Sequence, residues 1–250
     1  MPPEKTAQRC EDLTKLIRER NTNDEEVFPV LKEALNDEVP VDVNLVVGNR
    51  SLICYFAYYG MLKCFEECFV LGADPTIVTP EFPRDALASA VSGFGSPPIV
   101  SRMVMFLLNH EKVTELHHKA ALDWACDVGR FEIVRLLLRR HNSFADRALW
   151  HGLCRGSIKL VEIALDFSAD VNQFSTDGRY PNHVAAELQD SSILEKLVDA
   201  GADMKAKNKA DETPFTVAIR FNSVSCVKLL VDRKCEFSGE DALLLAFRCR

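Results

Sequence analysis

The 250-residue chain has no apolar run approaching the roughly 20 residues that span a bilayer, and its opening, Met1–Cys10, lacks the apolar stretch of a secretory signal. Both absences point to an intracellular protein, cytoplasmic or nuclear, with no membrane insertion. Glycine and proline are sparse at 11 residues each, and 47% hydrophobic with 27% charged residues describes a globular chain in which little is disordered. The nine cysteines lack the paired spacing of a disulfide framework, so a reducing compartment keeps them as thiols that fill the core as small hydrophobes. A formal net charge of −7 opposes a polyanion and disfavours nucleic acid as a partner. Tyrosine is scarce too, yet three of the four fall in YFAYYG, residues 55–60.

What the chain does have is internal repetition, which fixes architecture before single motifs are weighed. Pro181, Ala185 and Leu197 recur 33 residues later as Pro214, Ala218 and Leu230. The same frame runs backward from Asn182 to Leu149, then to Leu122, Leu87 and Leu52 at intervals of 33, 27, 35 and 35 residues. Each unit reads as a short Ala-rich helix, a small residue, a longer helix with apolar residues three and four apart, and a turn. Two helices cannot bury an apolar face alone. Stacked neighbours can, so the pattern predicts a helix-pair solenoid.

The period, the stretches DGRYPNH (177–183) and DETPFT (211–216), and the unit ends LGADP, SADVN and AGADM resemble ankyrin repeats. The likeness is strongest over Asp177–Asp203 and Asp211–Phe237, good over Ala120–Asn172, and degenerate before about residue 118. It implies an all-α, ankyrin-type fold of about seven helix-pair repeats, the first degenerate and the last incomplete, with short hairpin fingers in some. One domain over 1–250 is expected: 1–44 a capping repeat, 45–237 the main repeats, 238–250 the start of another. His183 stands where the family's histidine orients the turn. Asn44 and Asn172 match positions that can be hydroxylated in the family, although a turn-forming asparagine is the plainer reading.

Departures from the pattern carry their own expectations. Units are shortened between Arg139 and Ala148 and between Lys234 and Ala242, which predicts no finger there. GFGSPPIV, 93–100, adds residues between two helices; Ser96 is a cap candidate and Pro97 or Pro98 suits the first helical turn. A phosphate loop is disfavoured there, because no Lys-Ser/Thr follows and proline removes N–H donors. Near the start, Ala7, Cys10, Leu13, Leu16 and Ile17 would line one helix, and Val27, Val30, Leu31, Ala34 and Leu35 the next. The last residues, with Leu243, Leu244, Leu245 and Phe247, read as an inner helix without its outer partner.

In the family, the residue before the inner-helix Ala pair and the two after it face a concave groove. That carry-over places Tyr55, Tyr58 and Tyr59 on the groove, with Phe56 and Ala57 inside; a one-residue shift of register would instead pack some of the tyrosines against a neighbouring helix. Later units contribute Trp124, Asp127 and Val128; His151, Cys154 and Arg155; Val184, Glu187 and Leu188; and Val217, Arg220 and Phe221. Ser89, Ser92 and Gly93 belong to the intervening unit. Trp124 beside Ala125 also suits a core. Finger tips add Gln173, Phe174, Asp177 and Arg179, then Lys207, Asn208, Lys209 and Asp211. Tyr, Trp and Arg bury large area at modest entropic cost, which suits interfaces.

Catalysis finds little support. His151 and Cys154 are three apart on one helix, but no orienting acid or oxyanion site accompanies them. Cys64 and Cys68 lack a second ligand pair for zinc. The cluster Arg135, Arg139, Arg140 and His141 complements a helix C-terminus. No cofactor, metal or catalytic residue is called for. The expected role is a non-catalytic scaffold or adaptor that binds a peptide or short helix of another protein, with apolar residues on the tyrosines and charged ones near Glu187, Arg155 and Arg220. The sequence favours a monomer. A recruiting domain of a longer protein and a self-associating scaffold are the alternatives.

Overall fold

The computed structural model describes residues 12, 13, 15, 24–35, 42–44, 46–47, 49–81, 83–175 and 178–235. It divides into two compact units, Met1–Ile133 and Val134–Arg250. The expectations for Ala7, Cys10, Leu16, Ile17, Asp177, the shortened unit after Lys234 and the final leucine-rich stretch fall outside the described residues.

In the first unit, the inner helices Leu52–Tyr59, Ala86–Ser92 and Glu115–Val128 pack in succession. Leu62–Val70 and Pro97–Leu108 cover them as outer helices, and Asp24–Leu35 packs on Leu62–Val70. Alanine at the inner positions lets backbones approach: Ala57, Ala90, Ala121 and Ala125 are fully buried. Asp85 caps Ala86–Ser92 by accepting from the Ala88 amide at 2.7 Å. Val27 and Leu31 are buried as expected, whereas Val30 is exposed. One feature departs from an all-helical chain: Val46–Val47 and Arg50–Ser51 form a two-stranded antiparallel ladder leading into Leu52–Tyr59.

In the second unit, Ala145–Arg155 packs on Ile158–Asp166 and Pro181–Glu187, and Pro181–Glu187 packs on Pro214–Arg220. Outer helices Ile158–Asp166, Ser191–Asp199 and Val224–Asp232 follow one another. The 33-residue frame is visible in the packing: Ala185 and Ala218, and Leu197 and Leu230, are buried at equivalent places. Pro181 and Pro214 open their helices, where the missing N–H costs nothing. Where a finger was expected to be absent, the 3-10 turn Asn142–Phe144 runs straight into Ala145–Arg155.

Turn residues tie consecutive repeats. The Asn44 side-chain carbonyl accepts from the Asp74 amide at 2.6 Å. Asn172 repeats the arrangement with the Asp203 amide at 2.8 Å and donates to the Gly201 carbonyl at 3.3 Å. Both asparagines therefore act as repeat-to-repeat links. Adjacent fingers join where Lys209 N–H meets the Gly178 carbonyl at 3.2 Å.

His183 is fully buried with Nε2 2.8 Å from the Glu212 carbonyl oxygen. Burial disfavours the imidazolium and lowers the pKa below the ordinary value of about 6.5. The unfolded chain then binds more protons than the folded one between the two values, so this contribution is intact above about pH 6.5 and is lost as pH falls through the lower folded pKa. Melting temperature followed from pH 8 to 5 is expected to fall less steeply in His183→Gln than in the parent. Parallel curves would remove His183 as the source of acid sensitivity.

Candidate binding surface

Two half-buried tyrosines at the end of Leu52–Tyr59 and the exposed Phe94 of the loop after Ala86–Ser92 form an aromatic cluster. Tyr58 meets Tyr59 edge-to-face at 5.3 Å between ring centroids, and Phe94 at 5.2 Å; Tyr59 lies 6.1 Å from Phe94. Phe94 is 75% exposed and the two tyrosines are half-buried. Such ring pairs add about 0.5–1.5 kcal/mol each beyond area burial, which orders the cluster before anything docks.

Phe94 reaches this position because its loop lies directly on the preceding repeat. Its amide donates to the Tyr58 carbonyl at 2.7 Å. A Cβ on Gly60 would come 2.5 Å from the Gly95 Cα, and one on Gly93 would collide with the Tyr58 main chain. Gly60 also holds φ 72°, a left-handed conformation that caps Leu52–Tyr59. Arg130 closes the loop from the other side by donating to the Gly93 and Gly95 carbonyls. The glycines of GFGSPP are therefore a packing device, and Ser96 makes no side-chain cap although Pro97 does open the next helix.

Two guanidiniums complete the surface. Arg50, from the short ladder, lies over Tyr58 at 4.2 Å. Arg84 lies over Trp124 at 3.7 Å and donates to Ser92 Oγ at 3.3 Å. Cation–π contacts of this kind are worth about 0.5–2 kcal/mol, more where water is excluded.

Tyr55 is a correction. It is 2% exposed, with Arg50 5.8 Å from its ring centroid, and so belongs to the core with Phe56 and Ala57. The same applies to Ser89, Val184 and Val217, which are buried. All four are the fourth residue of a helix only seven or eight residues long. In each of these helices the final residue is half-buried or exposed. The equivalent Trp124 and His151 occur later in the longer helices Glu115–Val128 and Ala145–Arg155, and both are half-exposed. The two positions after the pair behave as expected, except Gly93: Asp127, Val128, Cys154, Arg155, Arg220 and Phe221 are exposed, and Glu187 and Leu188 half-exposed.

In the second unit the predicted residues form smaller groups. Phe174 meets Tyr180 at 4.9 Å with Lys209 5.9 Å above its ring. Arg179 pairs with Glu187 at 3.2 Å, and Arg220 pairs with Glu212 at 2.8 Å while lying 4.5 Å over Phe221. Arg135 of the basic cluster pairs with Asp166 at 3.0 Å. Sequence reasoning missed Phe94, Arg50 and Arg84. For Phe94 a signal exists, a lone aromatic between two glycines in an insertion.

Buried thiols oppose nucleophilic chemistry: burial pushes Cys54 up to about 11 and Cys226 upward as well. Among the described residues, no group of three His, Cys, Asp or Glu side chains could hold a metal ion. None of their helices is long and apolar enough to cross a membrane.

Residues 182–250 match the family model for ankyrin repeats. A 78-residue stretch is 37% identical to the inactive serine/threonine-protein kinase TEX14 of Bos taurus, covering 31% of this chain and 5% of that protein. A 142-residue stretch is 32% identical to the NF-kappa-B inhibitor cactus of Drosophila yakuba, covering 54% of this chain and 28% of that protein. The matches thus span a small part of these relatives. Two solved structures superpose with TM-scores of 0.68: the ankyrin repeat domain of Bcl-3, a member of the IkappaB family, at 17% identity over 86% of this chain and 96% of that one, and the human ASB11 ankyrin repeat domain at 20% identity over 95% and 100%.

Proposed function

We propose that this chain, which carries ankyrin repeats at residues 182–250 and has the ankyrin-repeat fold, binds another protein through the Tyr58, Tyr59 and Phe94 surface of its first unit. Ankyrin repeat domains are in general protein-interaction modules, and their fold is a non-catalytic one. The observation that carries the proposal is the aromatic cluster itself. Three rings meet at the surface on a loop locked by close backbone contact, and large apolar groups held open to water mark interaction sites more often than chance. A preordered surface loses little side-chain entropy when a peptide or short helix docks. Arg179 and Arg220 of the second unit meet carboxylates of the same chain.

The test is photo-crosslinking from a benzophenone amino acid at position 94, compared with capture by a Tyr58→Ser, Tyr59→Ser, Phe94→Ser variant. Tyr55 is left in place because it is core. Crosslinked partners whose capture drops about tenfold or more in a variant with unchanged melting temperature are expected, the loss of roughly one interface hot spot. Undiminished capture by the folded variant would sink the assignment. A second reading, a recruiting module within a longer protein, is favoured by matches that cover 5% and 28% of the relatives above.

A further inference from the structure

Three serine or threonine residues of the chain are followed directly by proline: Thr79, Ser96 and Thr213. Proline after a hydroxyl residue is a chemical signal, since an enzyme pocket that offers no acceptor at that position leaves the N–H of any other residue unpaired. The structure separates the three. The Thr79 hydroxyl donates to the Asn49 carbonyl at 2.7 Å, and the half-buried Thr213 caps its helix by accepting from the Thr216 amide at 3.3 Å. Ser96 is exposed, and its hydroxyl makes no cap. Its backbone already stands extended at φ −61° and ψ 152°, the conformation that a following proline favours. Pro97 and Pro98 are exposed as well, and neither has an N–H to lose when the segment enters another groove.

The position of Ser96 gives its modification a consequence. Gly93 and Gly95 are buried, with Tyr58 and Gly60 of the preceding repeat against them, while Phe94 and Ser96 are exposed. The hydroxyl therefore leaves the same loop that carries Phe94 onto Tyr58 and Tyr59. Two residues span at most about 7 Å, inside the screening length of about 8–10 Å at ordinary salt. A phosphate there adds a charge of about −1.5 to −2 and three strong acceptor oxygens. An apolar partner seated on Phe94 would have to strip water from that group.

We propose that Ser96 is the acceptor for a proline-directed protein kinase, and that its phosphate closes the Tyr58, Tyr59 and Phe94 surface to an apolar peptide. The second half rests on the reading of that cluster as the contact surface. In the transfer, Ser96 Oγ bonds to the γ-phosphorus of ATP as the bond to the β–γ bridging oxygen breaks; ADP leaves, and the hydroxyl proton passes to the kinase's catalytic aspartate. The prolines that deny this loop the N–H donors of a phosphate-binding loop do not oppose a phosphate attached through a covalent bond.

The experiment incubates the full chain with a purified mitogen-activated protein kinase and Mg-ATP and maps phosphate by mass spectrometry, with a synthetic peptide of residues 90–102 as the accessible reference. Phosphate is expected on Ser96 in both, and not on Thr79 or Thr213 of the folded chain. Ser96→Ala is expected to abolish transfer, and Pro97→Ala to slow it about tenfold or more, the effect of one unpaired N–H. The same proline exchange in the 90–102 peptide decides the matter even if the variant chain is unstable. A folded chain without phosphate on Ser96, whatever the peptide does, overturns the acceptor. For the surface, a peptide about 12 residues long, enough to cross one or two repeats when extended, is selected from a random phage library on the unmodified chain. Its binding is expected to be lost in the Tyr58→Ser, Tyr59→Ser, Phe94→Ser variant. Phosphorylation of Ser96 is expected to weaken that peptide about tenfold or more, with phosphatase treatment restoring it. Equal affinity of the two forms leaves the contact surface standing and overturns its closure by phosphate. If no selected peptide depends on the three rings, the surface reading and the closure fall together.

Discussion

Gly93→Ala is expected to lower stability by at least about 3 kcal/mol, a large effect for the addition of one methyl group. The new Cβ would stand 2.6 Å from both the Tyr58 Cα and its carbonyl carbon and closer still to the carbonyl oxygen. All of these are main-chain atoms, so no flexible side-chain end can yield. Relief requires the loop to lift, which breaks the 2.7 Å bond from the Phe94 amide to the Tyr58 carbonyl and the donations from Arg130. Stability and surface are thus coupled here, because the contact that seats the loop also seats Phe94 in the aromatic cluster. Urea denaturation followed by circular dichroism measures the loss, and near-ultraviolet ellipticity reports the tyrosine environment. An unchanged midpoint would mean that the loop has slack the geometry denies it.

Tyr55→Ala is expected to cost about 3–5 kcal/mol, the range for truncating a buried aromatic side chain. Tyr58→Ala and Tyr59→Ala, half-buried in the same helix, are each expected to cost less than half of that. The contrast separates a core ring from surface rings within five consecutive residues. Thermal melts of the three single variants check it. Equal destabilisation at Tyr55 and Tyr58 would mean that both rings are core and would take the binding surface with it.

Much of the fold was legible because repetition constrains packing. A 33-residue period with Ala185 and Ala218 at one phase and Leu197 and Leu230 at another leaves few ways to bury those residues other than stacked helix pairs. The lost finger after Arg140 followed from counting, since too few residues remain there to build one. The site was legible in half. Tyr58 and Tyr59 emerge because they follow a buried pair at the end of a short helix, whereas Tyr55 precedes the pair and is buried, with the Arg50 guanidinium 5.8 Å from its ring. Three- and four-residue spacing places all three on one side of a helix, but an eight-residue helix has one end covered and one end open. Periodicity alone contains no term for that difference.

The sequence by itself determined the repeat, the buried alanine and leucine positions, the helix-opening prolines and the turn position of Asn172. Each of these depends on residues near in sequence or on a fixed period. Only the tertiary structure decided that Phe94 joins Tyr58 and Tyr59, that Arg50 and Arg84 stack on Tyr58 and Trp124, and that Tyr55 is core. Those contacts join residues from different repeats and from the irregular segments leading into helices. They depend on how closely two backbones approach at Gly60, Gly93 and Gly95, a distance set by packing that no residue in isolation encodes.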